Sequence, residues 1–125
     1  MDELTDEELA RLFGWTRVAF GACAFLAPKW SAKLWTGETI RGSTSVMALR
    51  GVGARDIALG LGLVIGLKRG APVRGWLDAG MLSDSGDALS TLLARRKLPP
   101  ARCLLSLTAS GVAIMMGRRL AEALG

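Results

Sequence analysis

Four apolar stretches, each closed by a turn signal, set out the chain. The first runs from Leu12 to Ala27, carries a single charge, Arg17, and is closed by Pro28. Ahead of it, Thr5 and Glu8 have capping-box spacing, and Asp6, Glu7 and Glu8 suit the positive end of a helix dipole, so a helix is expected to start near Thr5. Lys29 to Ser43 mixes Lys, Thr and Gly37 with Trp30 and Trp35 and reads as a connection containing a short interfacial helix. A second long helix is expected from about Thr44 to Leu67. Its later half is uncharged, its earlier half holds Arg50, Arg55 and Asp56, and Lys68, Arg69, Gly70 and Pro72 stop it. A third, from about Val73 to Arg95, places Asp78, Asp84 and Asp87 among leucines and ends before Pro99 and Pro100. A fourth, from about Ala101 to Leu124, is uncharged between Cys103 and Gly117 and flanked by Arg on both sides.

The pattern predicts an all-α fold: one domain, residues 1–125, built as a four-helix transmembrane bundle with a short interfacial segment between the first two long helices. A bilayer crossing takes about 20 apolar residues, and no uncharged run reaches that, so a soluble four-helix protein is the competing fold. Against it, the second and fourth long helices look apolar around most of their circumference, which marks a buried or lipid-facing helix.

Composition sharpens the picture. Half of the 125 residues are hydrophobic although 22% are charged, and mean hydropathy is +0.34. The net charge is +5 and the pI about 10.0. The cations gather at the ends of apolar runs, which points to lipid headgroups and away from nucleic acid. Pairing the helices as hairpins puts six of them at one end of the bundle (Arg11, Lys68, Arg69, Arg74, Arg118, Arg119) and seven at the other (Lys29, Lys33, Arg41, Arg95, Arg96, Lys97, Arg102), so the positive-inside rule gives no orientation. No His is present, which excludes most zinc, haem and Ser-His-Asp chemistry. No metal or cofactor is expected. Cys23 and Cys103 read as small hydrophobes, and Met115 and Met116 as core or lipid contacts. The glycines from Gly51 to Gly62 follow no strand and have helix-packing rather than phosphate-loop spacing. The acidic N-terminal stretch lacks the basic region of a signal peptide, so the first apolar run is expected to be retained.

Charges inside the apolar helices are the candidate chemistry. At about 100° per residue, Arg50, Gly53, Asp56 and Gly60 fall within roughly 120° on the second long helix, and Gly80, Asp84, Asp87 and Thr91 within about 60° on the third. These two faces are expected to meet, with Arg50 and Arg17 relieving the repulsion between Asp84 and Asp87. Arg17 shares a face with Gly14 and Gly21. Arg55 points about 140° away from Arg50, toward another helix, the interface or an oligomer contact. Asp78 is expected to be solvated, and Ser106, Thr108 and Ser110 to bond between helices.

The order of Ala27 and Pro28, the segment Leu49 to Gly60 with its Gly-x-Arg-Asp-x-x-x-Gly block from Gly53, and then Asp84 and Asp87 resembles a family of small four-helix bacterial membrane proteins. They are mostly actinobacterial and grouped as a domain of unknown function. The resemblance spans about residues 12 to 117. It implies a four-helix membrane bundle in which Arg55, Asp56, Asp84 and Asp87 matter, and implies no particular activity.

Taken together, these features predict a multi-pass protein of the cell (inner) membrane, surrounded by lipids and able to self-associate through glycine faces. Asp84, Asp87 and Asp56 are the candidate catalytic groups. Arg17, Arg50, Arg55 and Thr91 are the candidate binding groups. They would line an intramembrane pocket that handles a lipophilic small molecule by cofactor-free acid–base chemistry such as isomerisation, cyclisation or epoxide opening. That reading requires open space beside the Asp pair. The alternatives are a non-enzymatic structural or accessory subunit, whose ion pairs only fix helix register, and a proton-coupled transporter component.

Overall fold

A computed structural model describes residues 3–125; Met1 and Asp2, part of the acidic stretch, lie outside them. Among the described residues there are five helices and no strand: α1 (Asp6–Leu26), α2 (Pro28–Thr36), α3 (Ser43–Lys68), α4 (Arg74–Leu93) and α5 (Pro100–Leu124). Their ends follow local chemistry. The Thr5 hydroxyl accepts from the Glu8 amide at 3.1 Å, and the Glu8 carboxylate accepts from the Thr5 amide at 3.3 Å, which completes the capping box. Pro28 and Pro100 occupy first helical positions, where no amide hydrogen is needed. Gly37, at φ 76°, ends α2 in the left-handed conformation that glycine adopts without strain.

The helices pack mainly as two antiparallel pairs, α1 with α3 and α4 with α5. The first pair is built on glycine. Gly14 and Gly21 lie two turns apart on α1, Gly53 and Gly60 two turns apart on α3, and they meet crosswise, Gly14 on Gly60 and Gly21 on Gly53. A Cβ on Gly21 would stand 2.5 Å from the Gly53 carbonyl oxygen, so the two backbones touch. This corrects the sequence expectation for the α3 glycines: Gly53 and Gly60 face α1, not α4.

The two pairs share a modest apolar cluster at the end formed by the start of α1, the α3–α4 turn and the end of α5. Ala10, Leu63, Val73, Leu77, Leu120 and Ala121 are buried there, with Phe13, Met81 and Met116 against them. Elsewhere the distribution is inverted. Large apolar side chains such as Leu26, Met47, Leu82, Leu93, Leu104 and Met115 are at least two-thirds exposed, a pattern that water disfavours and lipid does not.

Two helices, α1 and α5, are long and apolar enough to cross a membrane. Only 17% and 11% of their apolar windows are buried, unlike the core helix of a soluble protein. The expectation had all four long helices crossing, with the second and fourth apolar around most of their circumference; α3 falls short because Arg50, Arg55, Asp56 and Lys68 interrupt its apolar character, and α4 because of Asp78, Asp84 and Asp87.

Replacing Gly53 by Ala should therefore lower stability by about 1–3 kcal/mol, the usual effect of overpacking. The same change at Gly86 or Gly111, where a Cβ meets open space, should be neutral or mildly stabilising. Thermal unfolding in detergent, followed by circular dichroism, checks the contrast.

Candidate functional site: an Arg/Asp ladder between the helix pairs

Beyond the apolar cluster, the two helix pairs are joined by charge. Arg17 on α1 reaches α4 and grips Asp84 with two bonds, Nη1 to Oδ1 at 3.0 Å and Nη2 to Oδ2 at 2.6 Å. The same Nη1 lies 3.5 Å from Oδ1 of Asp56 on α3. Arg55 donates to that oxygen from Nη2 at 3.2 Å and grips Asp87 on α4 at 3.1 and 2.9 Å. The result is one continuous ladder, Asp84–Arg17–Asp56–Arg55–Asp87, in which three carboxylates alternate with two guanidiniums. The paired, planar geometry is what Arg provides and Lys does not.

Local sequence makes the ladder possible. Arg17 sits between Gly14 and Gly21 on the α1 face turned to α3, so its side chain leaves a seam where backbones touch. Gly80 on α4 gives it room, since a Cβ there would lie 3.3 Å from Nη2. The Phe13 ring, 5.3 Å from the guanidinium carbon, covers one face of it. Arg17, Asp56 and Asp84 fall beside the midpoints of their helices, so the ladder crosses the bundle at half height.

Exposure rises steadily along it. The side chains are 9% exposed at Asp84, 11% at Arg17, 17% at Asp56, 31% at Arg55 and 41% at Asp87. One end is a buried clamp and the other reaches the surface.

Five of the seven residues expected at the site come together. Arg50 does not: it donates to the Phe25 carbonyl oxygen at 3.1 Å and lies over the Phe25 ring, away from the carboxylates. The expectation placed Arg50 against the Asp pair; Arg55 takes that role for Asp87 and Arg17 takes it for Asp84. Part of the reason is angular: with Gly53 and Gly60 turned to α1, Arg50 falls on one flank of that face and Asp56 and Arg55 on the other, toward α4. The rest lies along the helix axis. α3 and α4 run in opposite directions, so Arg55, one residue nearer the α2 end than Asp56, is level with Asp87, one turn nearer that end than Asp84. Thr91 is buried beside the ladder, and its hydroxyl engages the Asp87 carbonyl at 2.9 Å and the Ser106 hydroxyl of α5 at 2.8 Å. The expected interhelical bond of Ser106 is thus made, with Thr91 as its partner; Thr108 is exposed, and among the described residues the bonds expected of it and of Ser110 are not formed. Asp78 is half exposed beside Arg74, as expected.

Two open concavities mark the surface. One, of about 440 Å³, lies by the α3–α4 turn against Gly62, Ile65, Arg69 and Trp76. The other, of about 200 Å³, lies among Trp30, Lys33, Leu34 and Arg102. Neither is lined by a ladder residue, so neither supplies the open space that the acid–base expectation placed beside Asp84 and Asp87.

Fold and site define a class: an all-helical protein with two candidate membrane spans and an interior ladder of alternating Arg and Asp. The chain matches no family model, no curated protein and no solved structure at significant similarity.

Asp84→Asn should strip Arg17 of its two-bond partner and leave it only the 3.5 Å contact with Asp56, and cost about 1–3 kcal/mol. Joint replacement, Arg17→Met with Asp84→Leu, should restore much of the loss. A double-mutant cycle on unfolding in detergent reads the coupling.

Proposed function

We propose that the chain is a multi-pass integral membrane protein in which α1, α3, α4 and α5 all cross the bilayer. Its ladder would end in a polar site for a lipophilic small molecule. Twenty residues of α4 span about 30 Å, the thickness of the hydrocarbon core. α3 and α4 look too charged to insert alone. With Asp56, Asp84, Asp87 and Arg55 paired to one another and to Arg17, the penalty of about 2.5–3.5 kcal/mol per unpaired charge at mid-membrane is offset.

The graded exposure of the ladder carries the functional reading. Asp84, doubly gripped and buried, serves as the anchor. Asp56, Arg55 and Asp87 form the accessible end. Three carboxylates and two guanidiniums leave one uncompensated negative charge, so one carboxylate can hold a proton while every guanidinium keeps a charged partner. An acid and a base then coexist in one site. Arg55 would polarise an oxygen of the bound molecule, one of Asp56 and Asp87 would give a proton, and the other would take one. Isomerisation, cyclisation and epoxide opening need no more than that, and no cofactor.

A second reading, a structural or accessory subunit, is favoured by the lack of a ladder residue in either concavity. One experiment separates the two. Wild type, Asp87→Asn and Asp84→Asn are purified from native membranes, and their small molecules are identified by mass spectrometry. A defined non-lipid compound in wild type that is lost or altered in Asp87→Asn, without a fall in thermal stability, is the expected result. Bulk phospholipid alone in all three would favour the structural subunit.

A further inference from the structure

The two ends of the bundle hold similar numbers of cations but differ sharply in how those cations are compensated. At the end formed by α1, the α3–α4 turn and α5, six cations share the space, among the described residues, with six carboxylates: Glu3, Asp6, Glu7, Glu8, Asp78 and Glu122. Three ion pairs form there, Arg11–Glu7, Arg74–Asp78 and Arg118–Glu122. The α2 end gathers seven cations around a single carboxylate, Glu38. Among the described residues none of those seven joins an ion pair.

The smaller concavity lies at this cationic end. Trp30 and Leu34, both about half exposed, supply apolar wall, and Lys33 and Arg102 supply charge. Arg102 lies across the contact between two helices. Its Nη1 donates to the Leu34 carbonyl oxygen across the α2–α5 contact, and the remaining guanidinium hydrogens stay free for another acceptor. A guanidinium held by a neutral carbonyl, an ammonium three residues beyond an indole ring, and exposed leucine beneath them match one ligand: a phosphate with hydrocarbon attached.

Resting on the membrane reading above, we propose that the concavity among Trp30, Lys33, Leu34 and Arg102 is a headgroup site for an anionic phospholipid, and that the unpaired cations around it make the α2 end the face bound to anionic lipid. The phosphate sits between Lys33 and Arg102, Trp30 lies at headgroup level, and the first acyl methylenes run along Leu34. The uncompensated collar adds attraction that the opposite, self-neutralised end lacks.

The test uses delipidated full-length protein in mixed micelles with equal amounts of phosphatidylglycerol and phosphatidylcholine, and native mass spectrometry to count retained lipids. Wild type should retain phosphatidylglycerol preferentially. Lys33→Gln should lower the ratio about fivefold, the effect of one interfacial charge, and Lys33→Gln with Arg102→Gln should lower it further. Arg118→Gln with Arg119→Gln, at the other end, should leave it unchanged. Arg102 also ties α5 to α2, so the Lys33 variant alone decides. Equal retention of both lipids by wild type, an equal loss in the Arg118/Arg119 variant, or displacement of the lipid by millimolar inorganic phosphate would each overturn the site. If the protein still inserts into phosphatidylcholine bilayers, the membrane reading survives that failure. A chain that remains dispersed without detergent and retains neither lipid takes both down.

Discussion

Arg17 and Asp84 form the contact on which the rest of this architecture depends. α1 with α3, and α4 with α5, are each close-packed pairs, but between the pairs there is only a modest apolar cluster at one end. In water such a cluster would draw the pairs together through burial. In a bilayer that drive is absent, because lipid tails solvate leucine as well as another helix does. A two-bond guanidinium–carboxylate clamp at half height ties the pairs where the apolar cluster does not reach, and under the membrane reading proposed above it would take over that role.

The clamp works because of what surrounds it. Glycines at two-turn spacing let α1 and α3 meet backbone to backbone, which brings Arg17 close enough to α4 to grip Asp84 with both amino groups. Once Asp84 is occupied, Asp87 one turn away needs its own cation, and Arg55 supplies it while also touching Asp56. Five charges thereby settle into alternating order, with one negative charge left over. That excess and the rise in exposure toward Asp87 separate the ladder into an anchor and a surface-reaching end.

The same economy of charge organises the ends. Glu7, Asp78 and Glu122 neutralise neighbours within one helical turn. The α2 end keeps its cations uncompensated, and α2 itself, set between α1 and α5, gives them a surface with Trp30 at its rim. Interior and periphery thus divide the polar residues of a largely apolar chain, with acids and bases balanced against each other at mid-height and cations facing outward at one end.

Much of this was legible in the sequence. Thr5 with Glu8, Pro28, Gly37 and Pro100 set helix ends through local chemistry that needs no tertiary partner. The apolar periodicity gave four long helices, and the angular positions of Gly53, Gly60, Asp84 and Asp87 gave the faces that pack. The partners of those faces were not legible. A helical wheel says which residues share a side, not which helix lies against it, so Gly53 and Gly60 were assigned to α4 when they pack on α1. Arg50 and Arg55 are equally basic in sequence. Which flank of α3 turns to α4, and at what height, is set by tertiary packing, and that decides that Arg55 meets Asp87 while Arg50, on the other flank, turns to the Phe25 carbonyl.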